Sequence, residues 1–123
     1  MDDLVTFLRD RLAEDEQTAR AAHAPNWSTD GRTGLHYGVE DGWMTDALTT
    51  ADADHIARHD PARVLREVDA KRRILDSYLP DAANADEQIN EEWRTGSALA
   101  DDLLCLLALP YTDHPDYRDD WRA

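Results

Sequence analysis

The residues of this chain best spaced to do chemistry are two histidines, His55 and His59, in the stretch HIARHDPARVLREVDAKRRILDSYLP over residues 55–80. Four apart on a helix, two imidazoles share one face, an arrangement that suits a zinc or nickel ion. A third ligand would have to come from His36, His114 or an aspartate elsewhere. HIARH lacks the glutamate that supplies the general base in the metalloprotease motif, so protease chemistry is not expected. A histidine pair beside a helix junction is more often structural, or merely solvated, than metal-binding. Metal binding through His55 and His59 is therefore the alternative reading, and a chain that needs no cofactor is the expectation.

Other chemistry is harder to assemble. Glu91-Glu92, Asp101-Asp102 and Asp119-Asp120 are adjacent acids. Neighbours on a helix point in different directions and cannot form a catalytic dyad. No glycine-rich phosphate loop follows a strand, and no serine or cysteine occupies a nucleophile elbow. The one cysteine, Cys105, sits within Leu103-Leu104-Cys105-Leu106-Leu107, where a thiol behaves as a small hydrophobe. A single cysteine also excludes an intramolecular disulfide.

Charge points elsewhere. The chain of 123 residues carries 13 Lys plus Arg against 27 Asp plus Glu, a net charge of −14. Direct binding to a phosphate backbone is disfavoured, because nucleic-acid binders concentrate positive charge. The same charge favours fast encounter with basic protein surfaces, or imitation of nucleic acid. A purely solubilising acidic surface remains the plain alternative. The opening MDDLVTFLRD has acids where a secretory leader would carry bases, and no apolar run approaches a membrane span, so a cytoplasmic protein is expected.

Five groups of elements must position these residues in a single domain over 1–123. Leu4, Val5, Leu8 and Leu12 define an N-terminal helix, with Asp2 or Asp3 as N-cap, Arg11 among the residues on the wet side, and Pro25 as its end. Leu35, Tyr37 and Val39 alternate like a half-buried strand, flanked by Trp27 and by Trp43-Met44-Thr45 through Asp30-Gly31 and Asp41-Gly42. A small antiparallel hairpin or meander is expected there, an irregular glycine-rich loop being the alternative. Asp54 is expected to cap a short turn over HIARH, and Asp60-Pro61 to restart the helix, aspartate as N-cap and proline in the first helical position. Val64, Leu65, Val68, Leu75 and Leu79 then form its stripe until Pro80 stops it.

A third helix is expected from Ile89, Trp93, Ala100, Leu103, Leu104 and Leu107, with Gly96 as a break near its middle and the run Leu103 to Leu109 the most buried part of the protein. In the tail, YTDHPDYRDDWRA, Asp113 is expected to cap a short helix opened by Pro115. Asp116, Tyr117, Asp119, Asp120 and Trp121 are the candidate partner-binding residues there, Trp121 either as an anchor or as closure of the core.

The blocks HIARHDPARVLREVDAKRRILDSY and LLALPYTDHPDYRDDW, with the opening MDDLVTFLRDRL, resemble a family of short actinobacterial proteins known only as a domain of unknown function. The resemblance spans both ends and the middle helix. It implies, for many relatives, a Cys-x-x-Cys pair and a further cysteine between the blocks, as for a small zinc site. This chain departs there: residues 81–104 hold no cysteine. The association of such proteins with mobile elements and prophages implies a regulatory or anti-defence role.

These readings converge on an α+β, mainly α domain, three main helices around a leucine-rich core with a small antiparallel hairpin or meander. The expected function is non-catalytic: an acidic protein-interaction module that binds a protein with a basic surface and no nucleic acid or membrane.

Overall fold

The computed structural model describes residues 1–32, 34–38, 42–46, 48–84 and 96–122. It is an α+β structure, mainly α, as its apolar periodicities predict. In order come α1 (Asp2–Ala21), β1 (Ser28–Thr29), β2 (Leu35–His36), β3 (Trp43–Thr45), α2 (Thr50–Arg58), α3 (Pro61–Arg73), a π-helical turn (Ile74–Tyr78), α4 (Leu79–Asn84) and α5 (Gly96–Ala108). The residues group into two compact units, Met1–Ala13 with Asp69–Ala123, and Glu14–Val68.

The first unit holds most of the apolar core. Leu4, Leu8 and Leu12 on α1 are 0–2% exposed, with Phe7 beside them. Arg11 joins this face at 8% exposure, against the wet side its charge predicts. Asp2 and Asp3 lie inside the first turn, where Val5 N–H donates to the Met1 carbonyl at 3.0 Å and the Asp3 Oδ1 accepts from Leu4 N–H at 3.1 Å. Carboxylates in a first turn still favour the helix dipole. Leu8, Leu12, Leu75 and Leu107 line one apolar crevice, and Leu79, Ala100, Leu104 and Ala108 are buried in the same unit.

Pro80 does not stop the helix begun at Pro61. The helix widens into the π turn, where Leu79 N–H donates to the Ile74 carbonyl, and continues as α4 through Pro80. Proline removes the ordinary bond to the fourth residue before it and crowds that carbonyl. The wider step just ahead of Pro80 lets the chain pass.

α5 differs from expectation in two ways. Gly96 is its first residue, not a break in its middle. Its leucine run is buried on one side only: Leu104 is 6% exposed, whereas Leu99, Leu103 and Leu106 are 46%, 36% and 49% exposed. A helix on the outside of a small unit has core on one face, however apolar its whole circumference. The expected extension through Ile89 and Trp93 lies outside the described residues, as do Val39 and Asp41 of the predicted hairpin.

In the second unit the three short strands form an antiparallel meander in the order β1-β2-β3, pairing Ser28 with His36 and Leu35 with Thr45, with an irregularity between Leu35 and His36. Asp30 shapes the first turn: its Oδ1 accepts from Arg32 N at 2.8 Å and Gly34 N at 3.1 Å. These backbone donors hold its carboxyl below the usual range. Gly34 is required by space, since a Cβ there would strike the Trp43 ring and the Asp30 carboxylate.

α2 starts a turn earlier than predicted. Thr49 Oγ1 accepts from Asp52 N at 3.1 Å and is the N-cap, so Asp54 lies within the helix. A hydroxyl in extended backbone ahead of Thr50 reaches the free N–H groups that Asp54 is too late to serve.

Asp60 caps α3 as expected and does more. Its Oδ1 accepts from Arg63 N at 2.9 Å, while Oδ2 accepts from Trp27 N at 3.2 Å. Ala62 N–H donates to the Pro25 carbonyl at 2.9 Å, fastening the same junction. One carboxylate therefore starts a helix and pins the segment entering the sheet. Asp60→Ala should cost about 1–3 kcal/mol, a lost cap plus a released backbone donor. Asp60→Asn, which keeps one acceptor oxygen, should cost less. Urea midpoints measure both, and an unshifted midpoint for the alanine variant would refute the double role.

Candidate functional site

The tail that carries the partner-binding candidates follows α5 as a chain of tight turns. A 3-10 turn over Leu109–Tyr111 leads to His114 N–H donating to Tyr111 O at 2.9 Å, Tyr117 N–H to His114 O at 3.0 Å, and a second 3-10 turn at Asp119–Trp121. No helix opens at Pro115, and Asp113 caps nothing. The local acceptor is His114, whose Nδ1 receives Asp116 N–H at 3.0 Å. The same nitrogen lies 3.0 Å from Arg11 Nη1. Both neighbours are donors, so Nδ1 is the unprotonated nitrogen and the ring is the neutral Nε2–H tautomer.

The turns wrap around Phe7. Its ring centroid lies 5.1 Å from Trp121, 5.5 Å from His114, 6.1 Å from Tyr117 and 6.3 Å from Tyr111. The Arg11 guanidinium sits over the same ring at 5.0 Å, a cation–π contact made inside the core. At the rim, Arg118 binds Asp120 through Nη2–Oδ2 at 2.6 Å and Nε–Oδ1 at 3.0 Å, and also binds Asp3. The Asp120 carboxylate raises Arg118 above even its ordinary high range, so this cation is permanent.

This geometry sorts the five tail candidates. Asp116, Asp119 and Asp120 are exposed, Asp119 with 97% of its side chain free. Tyr117 is half-buried. Trp121 is 6% exposed and packed on Phe7, which makes it closure of the core and leaves little of its ring to anchor a partner. Of the adjacent acids, Asp119 faces Arg122 at 3.9 Å while Asp120 turns to Arg118, so they form no dyad. Asp101 and Asp102 are half-buried on α5, and Glu91-Glu92 lies outside the described residues. Burial pushes the Cys105 thiol up, with Asp101 and Asp120 adding to it, which disfavours a thiolate.

His55 and His59 do come together on α2 and its C-cap. Their ring centroids are 4.4 Å apart, and both residues are exposed. His59 Nδ1 lies 2.8 Å from the His55 carbonyl, which can only accept, so this nitrogen is the donor. The possible third ligands are occupied otherwise: His36 lies against Trp43 at 4.1 Å, and His114 is held by Arg11 and Asp116. Among the described residues no group of three His, Cys, Asp or Glu side chains is arranged to hold a metal.

Sequence reasoning missed Phe7 and Arg11. The signal was available, since Phe7 and Arg11 lie four apart beside the Leu4–Leu8–Leu12 stripe and the tail supplies a matching excess of rings. Trp121→Ala should cost about 3–5 kcal/mol, the usual range for a large buried ring, and Trp121→Phe much less. Denaturation midpoints check this, and an unshifted melt for the alanine variant would return Trp121 to the surface.

Among the described residues no helix is long and apolar enough to cross a membrane. No curated protein and no solved structure matches the chain. The model of a family of unknown function, DUF6221, matches residues 1–123, and the chain belongs to that family.

Proposed function

We propose that this chain is a small, non-catalytic, acidic module of the cytoplasm that binds a protein with a basic surface. The observation that carries the reading is the display of Asp116, Asp119 and Asp120 on an exposed turn braced from behind by the Phe7 ring cluster. Carboxylates carried on a hydrogen-bonded turn need little backbone ordering on binding, and the net charge of −14 adds long-range attraction for a cation-rich partner. Carboxylates at this density also suit competition for surfaces that ordinarily receive phosphates.

Attraction of this kind is screened over about 8 Å at physiological ionic strength. A cognate basic partner, captured from cells of the source organism on the immobilised protein, should therefore elute as salt rises, chiefly through slower association. Reversing Asp113, Asp116 and Asp119 to lysine leaves Asp120 with Arg118, and should reduce capture while leaving the melt within about 1 kcal/mol of the parent. Salt-independent capture, undiminished in the lysine variant, would overturn the reading.

One observation favours a second reading. The Nδ1–H to carbonyl bond of His59 orients its ring as outer partners orient metal-ligating histidines. An ion held by His55 and His59 would sit on an exposed surface and contribute little to folding. Thermal melts with and without chelator should coincide; a large loss of stability on adding chelator would make a metal structural and displace both readings.

A further inference from the structure

Folding ties the acidic turn of the tail to α1 through a titratable ring. His114 Nδ1 lies 3.0 Å from Arg11 Nη1 and receives Asp116 N–H at 3.0 Å. Both neighbours remain donors at any pH near neutrality, because an amide keeps its hydrogen and a guanidinium its charge. The two contacts therefore require a bare nitrogen, which only the neutral imidazole has. Turning the ring offers no escape, since an imidazolium is a donor at both nitrogens. Arg11 is 8% exposed and seated over the Phe7 ring, so its charge is little screened.

The other groups around the ring do not replace what protonation removes. From α1 come Arg11 and the Phe7 ring, 5.5 Å away. From the turns come the rings of Tyr111 and Tyr117, gathered on Phe7, and the carboxylates of Asp113 and Asp116, both on exposed residues. Further along, Asp120 is held by Arg118 and Asp119 faces Arg122. Exposed carboxylates attract a cation weakly through solvent, whereas a buried guanidinium repels it at hydrogen-bonding distance.

We propose that His114 is a pH-sensitive latch: a proton taken up at Nδ1 expels Arg11 and the Asp116 N–H together and frees the turn over 114–117 from α1. The same stretch leads to Trp121, whose ring packs on Phe7, so release loosens the closure of the core. The neutral ring belongs to the folded chain, whereas in the unfolded chain nothing opposes the proton. The stability contributed by the latch is therefore complete at the alkaline end of the range in which histidine changes charge, about pH 5–8, and is lost as the pH falls through that range. The latch is independent of the acidic-module reading, since it concerns how the tail is attached and not what the tail binds.

The test follows the full chain by NMR from about pH 8 to about pH 5, above most of the carboxylate range, with the His114 ring, the Asp116 amide and the Trp121 indole N–H as separate reporters. As His114 takes its proton, the Asp116 amide should lose hydrogen-exchange protection, corrected for the intrinsic pH dependence of exchange, and the Trp121 resonance should move with the same midpoint. One linked proton limits the change in the ratio of latched to released tail to about tenfold per pH unit. His114→Asn keeps an acceptor oxygen near the position of Nδ1 and takes no charge, so its Asp116 amide should stay protected throughout. The urea midpoint of the parent should fall towards the acid end relative to that variant; the other four histidines are common to both chains and cancel in the comparison.

A protonated His114 with the Asp116 and Trp121 reporters unmoved would overturn the latch, as would a parallel loss of protection in both chains or a ring still neutral at the acid end. If the asparagine variant does not fold, the three reporters of the parent decide alone: separate midpoints refute the latch, and one shared midpoint upholds it.

Discussion

Carboxylates brought together by folding repel one another, and in a chain of net charge −14 that repulsion opposes compaction everywhere. The arrangement of the polar residues answers this constraint. Arginines are spread over the surface, one to an acid or two: Arg9 with Asp76, Arg20 with Glu16, Arg63 with Glu67, Arg73 with Asp69, and Arg118 with Asp3 and Asp120. Each such exposed pair contributes little alone, but together they dilute the negative field. Where an aspartate organises backbone it does so on N–H groups, as Asp30 does in the first hairpin turn and Asp60 at the start of α3. Among the described residues the charge taken into the core is positive: Arg11.

That choice of buried charge shapes the tail. Arg11 has the Phe7 ring beneath it and the neutral nitrogen of His114 before it. Both contacts suit a cation without requiring an acid among the rings. Because His114 also receives Asp116 N–H, the turn bearing the exposed aspartates is tied to α1 through one imidazole. The aromatic rings therefore have a structural task first. What they leave outside is carboxylate.

Two kinds of surface result. The tail offers exposed carboxylates on a hydrogen-bonded turn, whereas α5 leaves Leu99, Leu103 and Leu106 in solvent. The His55–His59 pair lies on α2 and its C-cap, and membership of DUF6221 assigns it no role.

Local rules were legible in the chain because their physics is local. The stripe of Leu4, Leu8 and Leu12, the Asp60-Pro61 helix start, the glycine turn at Asp30-Gly31 and the shared face of His55 and His59 all follow from periodicity and backbone chemistry over a few residues. Predictions failed where a neighbour in sequence was outcompeted by a better placed one. Thr49 serves the first N–H groups of α2 before Asp54 can, and the π turn carries the helix past Pro80. The tertiary structure alone decided which side of an all-apolar α5 meets core, that Arg11 enters it, and that Trp121 closes it. Burial is a property of what lies opposite, and what lies opposite Phe7 comes from the far end of the chain.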